Sequence, residues 1–217
     1  MSPPPAGPVF DAGFRAQLED LLRWRRDVRH FSTQPVAEAD VQALLALAAL
    51  APSVGNSQPW RFVRVRSADL RAQLAAHADA QSQLAAQTYA DPAQRAHYLS
   101  LKLHGLREAP ELLAVYCDEA PVAGHRLGIA TMPEMLRYSC VMAVQTLWLA
   151  ARARGIGLGW VSIIAPATVD ALLAVPAGWH LVALLCLGYP EAPALTPELE
   201  QRGWQAREPL ADRIIER

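Results

Sequence analysis

Residues 51–60 of the chain read Ala51-Pro52-Ser53-Val54-Gly55-Asn56-Ser57-Gln58-Pro59-Trp60. A proline stands near each end of this stretch, and most residues between them are short and polar. Serine, asparagine and glycine favour turns over helix or strand, because they satisfy the backbone locally or tolerate unusual dihedral angles. The stretch therefore predicts a loop that offers hydroxyl, amide and backbone N–H groups to a flat polar ligand.

A cluster of three arginines lies about one helix length before this loop, in Arg25-Arg26-Asp27-Val28-Arg29. In an extended chain the first, third and fifth of these residues point to one side, whereas in a helix Arg25 and Arg29 share a face. Only the extended form places Asp27 between two cations. Guanidinium groups match the geometry of phosphate oxygens, so the run predicts a site for an anionic group. The alternative is a solvated helix C-terminus, where cations suit the helix dipole.

The composition is that of an ordinary globular protein. The 217 residues are 52% hydrophobic, which is enough for one domain with a full core. We predict a disordered, proline-rich tail over residues 1–13 and a single domain over residues 14–217. The 20 basic and 21 acidic residues nearly balance, which argues against a nucleic-acid-binding surface. No secretory signal and no run of about 18 apolar residues occurs, which predicts a cytoplasmic protein without membrane contact.

The residue types that most often carry protein-based catalysis are not arranged for it. Cys117, Cys140 and Cys186 are odd in number and lie in apolar runs, which predicts buried free thiols in a reducing compartment. The six histidines are scattered without ligand spacing, so we predict surface or capping roles for them and no metal site. No nucleophile elbow, zinc-binding helix motif, phosphate loop or C-x-x-C motif occurs. An enzyme with this sequence would need a cofactor for its chemistry.

Hydrophobic periodicity predicts helices interleaved with four strands, which is typical of an α+β protein built in α/β layers. The predicted helices are 14–24, 38–50, 69–89, 92–106, 133–154 and 169–174. The predicted strands are 61–66, 111–117, 160–164 and 181–188. Helix 133–154 is apolar nearly all round, which indicates burial against a second subunit as well as its own sheet. We infer a homodimer, and we expect the charged residues 193–217 to wrap over a neighbour as an arm.

The glycines of Gly155-Ile156-Gly157-Leu158-Gly159 do not form a dinucleotide-binding fingerprint. That motif needs a further glycine where Trp160 stands, and it follows a strand and opens a helix. Here a helix precedes the run and a strand follows it. The glycines therefore predict a helix end and a tight turn into the next strand.

Flavin mononucleotide (FMN) fits the polar residues that remain. Its phosphate needs cations, and the guanidinium fork suits phosphate oxygens. The candidates for this role are Arg25, Arg26, Arg29 and Arg207. The edge of the flavin ring needs hydroxyl, amide and backbone partners. The candidates for that role are Ser53, Gly55 and Gln58.

From about residue 14 to residue 210 the chain resembles the nitroreductase-like flavoprotein superfamily, and within it the BluB-type 5,6-dimethylbenzimidazole synthases. The arginine run, the Pro-Ser-x-x-x-x-Gln-Pro-Trp loop and the terminal arm are the shared superfamily features. The BluB-type features include Asp27 in place of the usual serine, and the Ala-Pro-Ser-Val-Gly segment. The remaining BluB-type features are the helix from Tyr138-Ser139 to Leu147-Trp148-Leu149-Ala150-Ala151-Arg152-Ala153, and Gly159-Trp160-Val161-Ser162-Ile163.

This resemblance implies a nitroreductase-like fold, in which a mixed central sheet is flanked by helices. It implies an intertwined homodimer with FMN at the interface, where the loop and the arginine run come from different protomers. The implied reaction fragments reduced FMN with O2 to 5,6-dimethylbenzimidazole, the lower ligand of vitamin B12, and erythrose 4-phosphate. Reduced FMN is then the substrate and O2 the co-substrate, and a separate flavin reductase could supply the reduced flavin.

The resemblance also implies residue roles, with Asp27 and Ser162 acting on the flavin. The implied FMN-binding residues are Arg25, Arg26, Asp27, Val28, Arg29, Ser53, Gly55, Gln58, Ser162 and Arg207. Asp27 suits the role of a base, because the fragmentation demands removal of a proton near a carbon. We expect the flanking arginines to keep its carboxylate ionised. Ser162 lies on a predicted strand that is otherwise apolar, and its hydroxyl could bond to flavin N5 or to a peroxide oxygen.

Two other functions stay open at this point. An NAD(P)H-dependent nitroreductase or flavin reductase would hold FMN tightly and cycle it, although Asp27 in place of serine argues against this function. A flavin-binding module without catalysis would be favoured if Asp27 proved dispensable.

Overall fold

One four-stranded sheet lies between two layers of helices in the computed structural model, which describes residues 7–217. The strands are β1 Trp60–Arg64, β2 Glu111–Asp118, β3 Gly157–Val161 and β4 Trp179–Gly188. The helices are α1 Ala12–Trp24, α2 Glu38–Ala48, α3 Ala68–Ala86, α4 Pro92–Ser100, α5 Met135–Ala153, α6 Pro166–Leu173 and α7 Glu198–Gln201. The predicted α+β class is confirmed. Residues 1–6 of the predicted tail lie outside the described part of the chain.

The strands follow the order β1-β2-β4-β3, and all three ladders between them are antiparallel. The resemblance implies a mixed sheet, with both parallel and antiparallel strands. In the described residues the parallel part is one isolated bridge, between Asp27 and Leu158 of β3. This bridge attaches the arginine run to the outer edge of the sheet. β1 and β3 are the two edge strands, so the arginine run lies at the edge opposite to β1.

Side chains of the sheet alternate between two cores, because successive residues of a strand point to opposite faces. On one face α3 and α6 pack against Ala114 and Leu184, and on the other α2 and α5 pack against Val115 and Leu185. Six consecutive residues of β2 are buried, as its uninterrupted apolar sequence predicts. The three cysteines are buried and free, which confirms the prediction for them.

Several predicted boundaries differ from the structure by a few residues, and three of them are wrong for identifiable reasons. Helix α1 begins at Ala12, two residues before the predicted helix start at residue 14, because the Asp11 carboxylate caps it by accepting the Phe14 N–H at 2.8 Å. Helix α4 ends at Ser100 rather than near residue 106, because Leu101 is extended. Strand β3 occupies residues 157–161 rather than 160–164, so Ser162 lies just beyond the strand and not within it.

The long helix α5 is not buried on every side within one chain. Tyr138 and Val141 are 48% and 40% exposed, and helix α1 buries none of its residues. The exposed residues of α1 include Phe14 and Leu18, one helical turn apart. The single chain therefore leaves apolar faces on both helices, as the inference of a second subunit requires. None of the described helices combines the length and apolar character that a membrane crossing needs.

Replacing Gly159 with alanine should destabilise the protein by about 2 kcal/mol, because a Cβ there would overlap the carbonyl oxygen of Val28. The free energy of unfolding, measured by urea denaturation, tests this expectation. Gly13→Ala is a suitable control, since its Cβ would meet only Asp11 Oδ1 at 3.4 Å. Equal stability of the two variants would contradict the close approach of Val28 to β3.

Candidate functional site

The arginine run is extended and docks on the edge of β3. The Val28 N–H donates to the carbonyl of Leu158 at 3.0 Å, and the Trp160 N–H donates to Asp27 Oδ1 at 2.8 Å. Of the two geometries that the sequence allows, the extended one is therefore present. The Val28 side chain packs against Gly157, so both its N–H and its side chain serve the docking of the run.

The Asp27 carboxylate is held at both oxygens. Its Oδ1 accepts the Trp160 N–H, and its Oδ2 accepts Nε–H of Arg29 at 3.0 Å. Protein surrounds most of the side chain, although 32% of its surface stays exposed. This burial raises the pKa of Asp27 above its usual value, against the opposing effects of the Trp160 N–H, Arg29 and Arg25. The arginines do favour the ionised form as expected, but burial has the larger effect and the net direction is upward.

Arg26 and Arg29 are both engaged within the protein. Arg29 is only 12% exposed, and besides Asp27 it donates to the carbonyl of Lys102 at 3.3 Å. Arg26 turns the other way and donates to the carbonyls of Arg23, Arg25 and Leu195. It thereby ties the C-terminal end of α1 to the segment that precedes α7. The structure gives Arg26 a structural role that the sequence does not reveal.

Arg25 is the arginine of the run whose guanidinium has no hydrogen bond or ion pair within the described chain. Its guanidinium lies over the indole of Trp148, 4.9 Å from the ring centroid. The same indole donates its Nε1–H to the carbonyl of Arg26 at 3.0 Å. Trp148 therefore contacts both the backbone of Arg26 and the guanidinium plane of Arg25. The N–H groups of the Arg25 guanidinium are left for a ligand.

Positive charge accumulates around Arg25. Burial and then repulsion from Arg207 lower the pKa of Arg25, although Asp27 acts against this change. Burial, Arg207 and Arg25 together lower the pKa of Arg26. Arg207, predicted as a fourth cation, thus lies close to the run in the same chain. Cations that repel one another, and whose charge is only partly offset by Asp27 and Glu200, are typical of a site that binds an anion.

The loop of residues 51–60 folds largely on itself. Ser53 Oγ accepts the Gln58 N–H at 3.0 Å, and the Val54 N–H donates to Ser139 Oγ on α5 at 3.0 Å. Gly55 has φ +56°, and a Cβ there would meet the carbonyl of Leu127 at 2.9 Å. The prediction of an irregular loop is confirmed, and its glycine is required for packing against a neighbouring loop.

One chain does not bring the two predicted motifs together. The loop precedes β1 at one edge of the sheet, while Asp27 lies outside β3 at the other. Four inter-strand spacings separate these positions, on the order of 19 Å. Ser162 belongs to the arginine side, because it follows Trp160, the donor to Asp27, by two residues. It is exposed in the single chain, contrary to what a position within an apolar strand would give.

A cavity of about 420 Å³ opens beside the arginine run. Arg26, Asp27 and Arg29 line one wall, and residues 190–202 line another. Its volume lies in the range of small-molecule sites. The structure therefore provides space as well as charge next to Asp27.

Two residues of this region were not predicted as site residues. The sequence indicates Trp148 only as part of a helix that matches the BluB-type pattern, and His77 only as one of the scattered histidines. His77 Nε2 accepts the backbone N–H of Ala165 at 2.8 Å, just after Ser162. Both act on positions more than 80 residues away in sequence, so no local pattern could have revealed their contacts.

Comparisons with known proteins identify the family of the chain. Residues 22–189 match the Nitroreductase family. A protein of Rhodospirillum rubrum named 5,6-dimethylbenzimidazole synthase is 57% identical over 204 residues, which cover 94% of this chain and 96% of the relative. A protein of the same name from Rhodobacter capsulatus is 48% identical and covers 92% of this chain and 96% of its own length.

Solved structures show the same fold. Iodotyrosine deiodinase, crystallised with FMN and 3-iodo-L-tyrosine, superposes with a TM-score of 0.71 at 25% identity, over 92% of this chain and 97% of that one. A BluB-like flavoprotein from Clostridium difficile 630 gives a TM-score of 0.69 at 22% identity, over 92% and 98% of the two chains.

Removal of the Arg29 guanidinium should raise the pKa of Asp27 further, because Arg29 favours the ionised carboxylate by charge and by hydrogen bonding. We expect the wild-type pKa to lie above that of a free aspartate and the Arg29→Gln pKa to lie higher still. The ¹³C shift of the labelled carboxyl group, followed against pH, measures both values. Arg23→Gln, which removes a cation paired with Glu19 on the exposed face of α1, should leave the titration unchanged.

Proposed function

The chain belongs to the nitroreductase family, and within that family we propose that it is a 5,6-dimethylbenzimidazole synthase that fragments reduced FMN with O2. The two relatives that carry this name match it over nearly the whole length. The observation that carries the mechanism is the Asp27 carboxylate, fixed by Trp160 and Arg29 beside a guanidinium with no partner in the described chain. A partly buried carboxylate next to an anion site is what a base acting on a phosphorylated flavin requires.

The residues present fit FMN. The phosphate would bind Arg25, whose guanidinium N–H groups have no acceptor in the described chain. It would also bind Arg207, whose charge lowers the pKa of Arg25. A dianion would neutralise the repulsion between these cations, which gives the phosphate its binding energy. Arg29 is already bonded to Asp27, and Arg26 to backbone carbonyls, so both would act mainly by holding the site in shape.

Asp27 would act as the base. Reduced flavin supplies the electrons for O2 and the carbon skeleton that becomes the benzimidazole. Removal of a proton from carbon where the ribityl chain joins the ring is helped by a carboxylate whose pKa has moved toward neutral pH. General base catalysis is most efficient when the pKa of the base lies near the operating pH. The raised pKa of Asp27 is a change in that direction. Each carboxylate oxygen accepts one hydrogen bond, Oδ1 from the Trp160 N–H and Oδ2 from Arg29 Nε–H, and each keeps a lone pair that could take the proton.

Ser162 would present its hydroxyl to the reacting part of the flavin. It follows the last residue of β3 and is exposed in the single chain, so it can contact a ligand that lies over the strand end. Its hydroxyl can donate a hydrogen bond to a nitrogen or peroxide oxygen and can also accept one.

A second protomer would complete the site. The loop with Ser53, Gly55 and Gln58 lies at the opposite edge of the sheet from the arginine run, so it cannot reach a flavin bound to the run of its own chain. The apolar faces left exposed on α1 and α5 support burial against such a partner. The loop of one chain would then meet the flavin on the arginine run of the other.

Supplying reduced FMN to the purified protein in air tests the reaction itself. We expect 5,6-dimethylbenzimidazole, detected by its fluorescence after chromatography, and loss of the flavin colour in proportion. Recovery of all the FMN as oxidised flavin, together with turnover of NAD(P)H, would instead identify a reductase. Stable binding without either outcome would identify a flavin-binding module.

Asp27→Asn should lower product formation by at least about a hundredfold, because the amide cannot take the proton. Its affinity for FMN should stay within about threefold of the wild type, since Asn keeps an acceptor for the Trp160 N–H. Single-turnover product yield and flavin fluorescence titration measure the two quantities. Asp20→Asn on the exposed face of α1 serves as the control. Product formation by Asp27→Asn at the wild-type rate would refute the base assignment.

Arg25→Gln should weaken FMN binding by about tenfold or more, because it removes a charge-assisted contact to the phosphate. Riboflavin, which lacks the phosphate, should bind both proteins equally within about twofold. Fluorescence titration with the two ligands gives the comparison. Arg154→Gln, which alters an exposed cation near Asp40, should change neither affinity. Equal losses for FMN and riboflavin would exclude a specific role of Arg25 at the phosphate.

A further inference from the structure

We propose that His77 is a positioning residue for Ser162, which it holds in place through the backbone of residues 162–165. This inference rests on the proposed function, in which the Ser162 hydroxyl contacts the reacting flavin. His77 itself lies on α3 and does not need to touch the ligand.

The observation is one hydrogen bond between distant parts of the chain. The N–H of Ala165 donates to His77 Nε2 at 2.8 Å, across a sequence separation of 88 residues. A backbone N–H is always a donor, so Nε2 must be unprotonated and the proton of the neutral ring must sit on Nδ1. His77 is half-buried, so water competes poorly for this bond.

The segment after β3, residues 162–165, donates few hydrogen bonds. Val161 is the last residue of β3 and pairs with Leu184. In the part of the chain that the structure describes, the N–H groups of Ser162, Ile163 and Ile164 donate no hydrogen bond. Ala165 is the N-cap of α6 and has no side chain that could cap the helix. The backbone of the segment is thus held by the sheet at one end, and at the other by His77 on the Ala165 N–H and by the first turn of α6 on the Ala165 carbonyl.

Packing makes α3 a firm support for this bond. Leu74, Ala75 and Ala78 of α3 are fully buried in the same core as Val169 of α6, and Ile164 packs against that core. Because α3 cannot shift without disturbing these contacts, the imidazole is presented from a fixed position. The bond therefore fixes the C-terminal end of the Ser162 segment relative to α3.

The chemical consequence concerns distance. A reacting group displaced by about 1 Å can lose about a hundredfold in rate, while binding of the rest of the ligand is unaffected. Loss of the acceptor at position 77 leaves the Ala165 N–H without a partner and frees the segment to move. The proposal therefore predicts a loss in kcat and not in FMN affinity.

Three substitutions at position 77 separate the acceptor from the volume of the ring. His77→Ala removes both, His77→Leu restores volume without an acceptor, and His77→Gln places an amide oxygen as many bonds from the backbone as Nε2. Two quantities are measured in the full-length protein: the exchange rate of the Ala165 amide hydrogen by NMR, and kcat for dimethylbenzimidazole formation from saturating reduced FMN. The Kd for FMN is measured alongside.

In the Ala and Leu variants we expect the Ala165 amide to exchange about tenfold faster. We expect kcat to fall by about tenfold or more in these variants, with the Kd for FMN within about twofold. The Gln variant should restore both the exchange rate and kcat to within about threefold of the wild type. An unchanged exchange rate in both Ala and Leu variants would overturn the anchoring role.

Three further outcomes would overturn the proposal in different ways. Faster exchange with unchanged kcat would show that the anchored segment does not position a reacting group. Equal loss of kcat in the Gln variant would show that the ring matters for a reason other than its acceptor. Full activity of Ser162→Ala would refute the assigned role of Ser162 and this inference with it, whereas the exchange data would still report whether His77 holds the segment.

Discussion

The docking of residues 25–29 on the edge of β3 is the contact on which the rest of the site depends. Two hydrogen bonds make it, from the Val28 N–H to Leu158 and from the Trp160 N–H to Asp27. The first is a bond between backbones and the second uses the carboxylate itself. The residue proposed as the base therefore also fixes the segment that carries the cations. Glycine at position 159 is a condition of this arrangement, because any side chain there would displace Val28.

The three arginines of the docked segment look equivalent in sequence, but each makes different contacts in the structure. Arg29 pairs with Asp27, Arg26 holds backbone carbonyls, and Arg25 stays unengaged within the described chain over the face of Trp148. Burial makes the pKa of Asp27 rise even though cations flank it. A carboxylate that is both ordered and less acidic than usual is suited to taking a proton from carbon. The same burial would be unfavourable in a residue that served only to bind.

Much of this could be predicted from the sequence, where local chemistry decides the outcome. The loop of residues 51–60 followed from its prolines and small polar residues, and β2 from its apolar run. Strand β3 was placed three residues too late, because Gly157 and Gly159 are poor strand formers and only the approach of Val28 explains them. The direction of the Arg25 guanidinium depends on Trp148, and that of Arg26 depends in part on the carbonyl of Leu195, which lies 169 residues away in sequence. The direction of the Asp27 pKa depends on burial, which a sequence does not display.

The mutual repulsion of Arg25, Arg26 and Arg207 has a practical consequence for any work with the isolated protein. Doubly charged inorganic anions would relieve that repulsion as the proposed flavin phosphate would, and they are common in purification buffers. A preparation made in sulfate or phosphate would carry a competitor on its cations, and flavin would have to displace it. Apparent affinities from different laboratories would then differ with the salt used and agree once each is corrected for the competing ion.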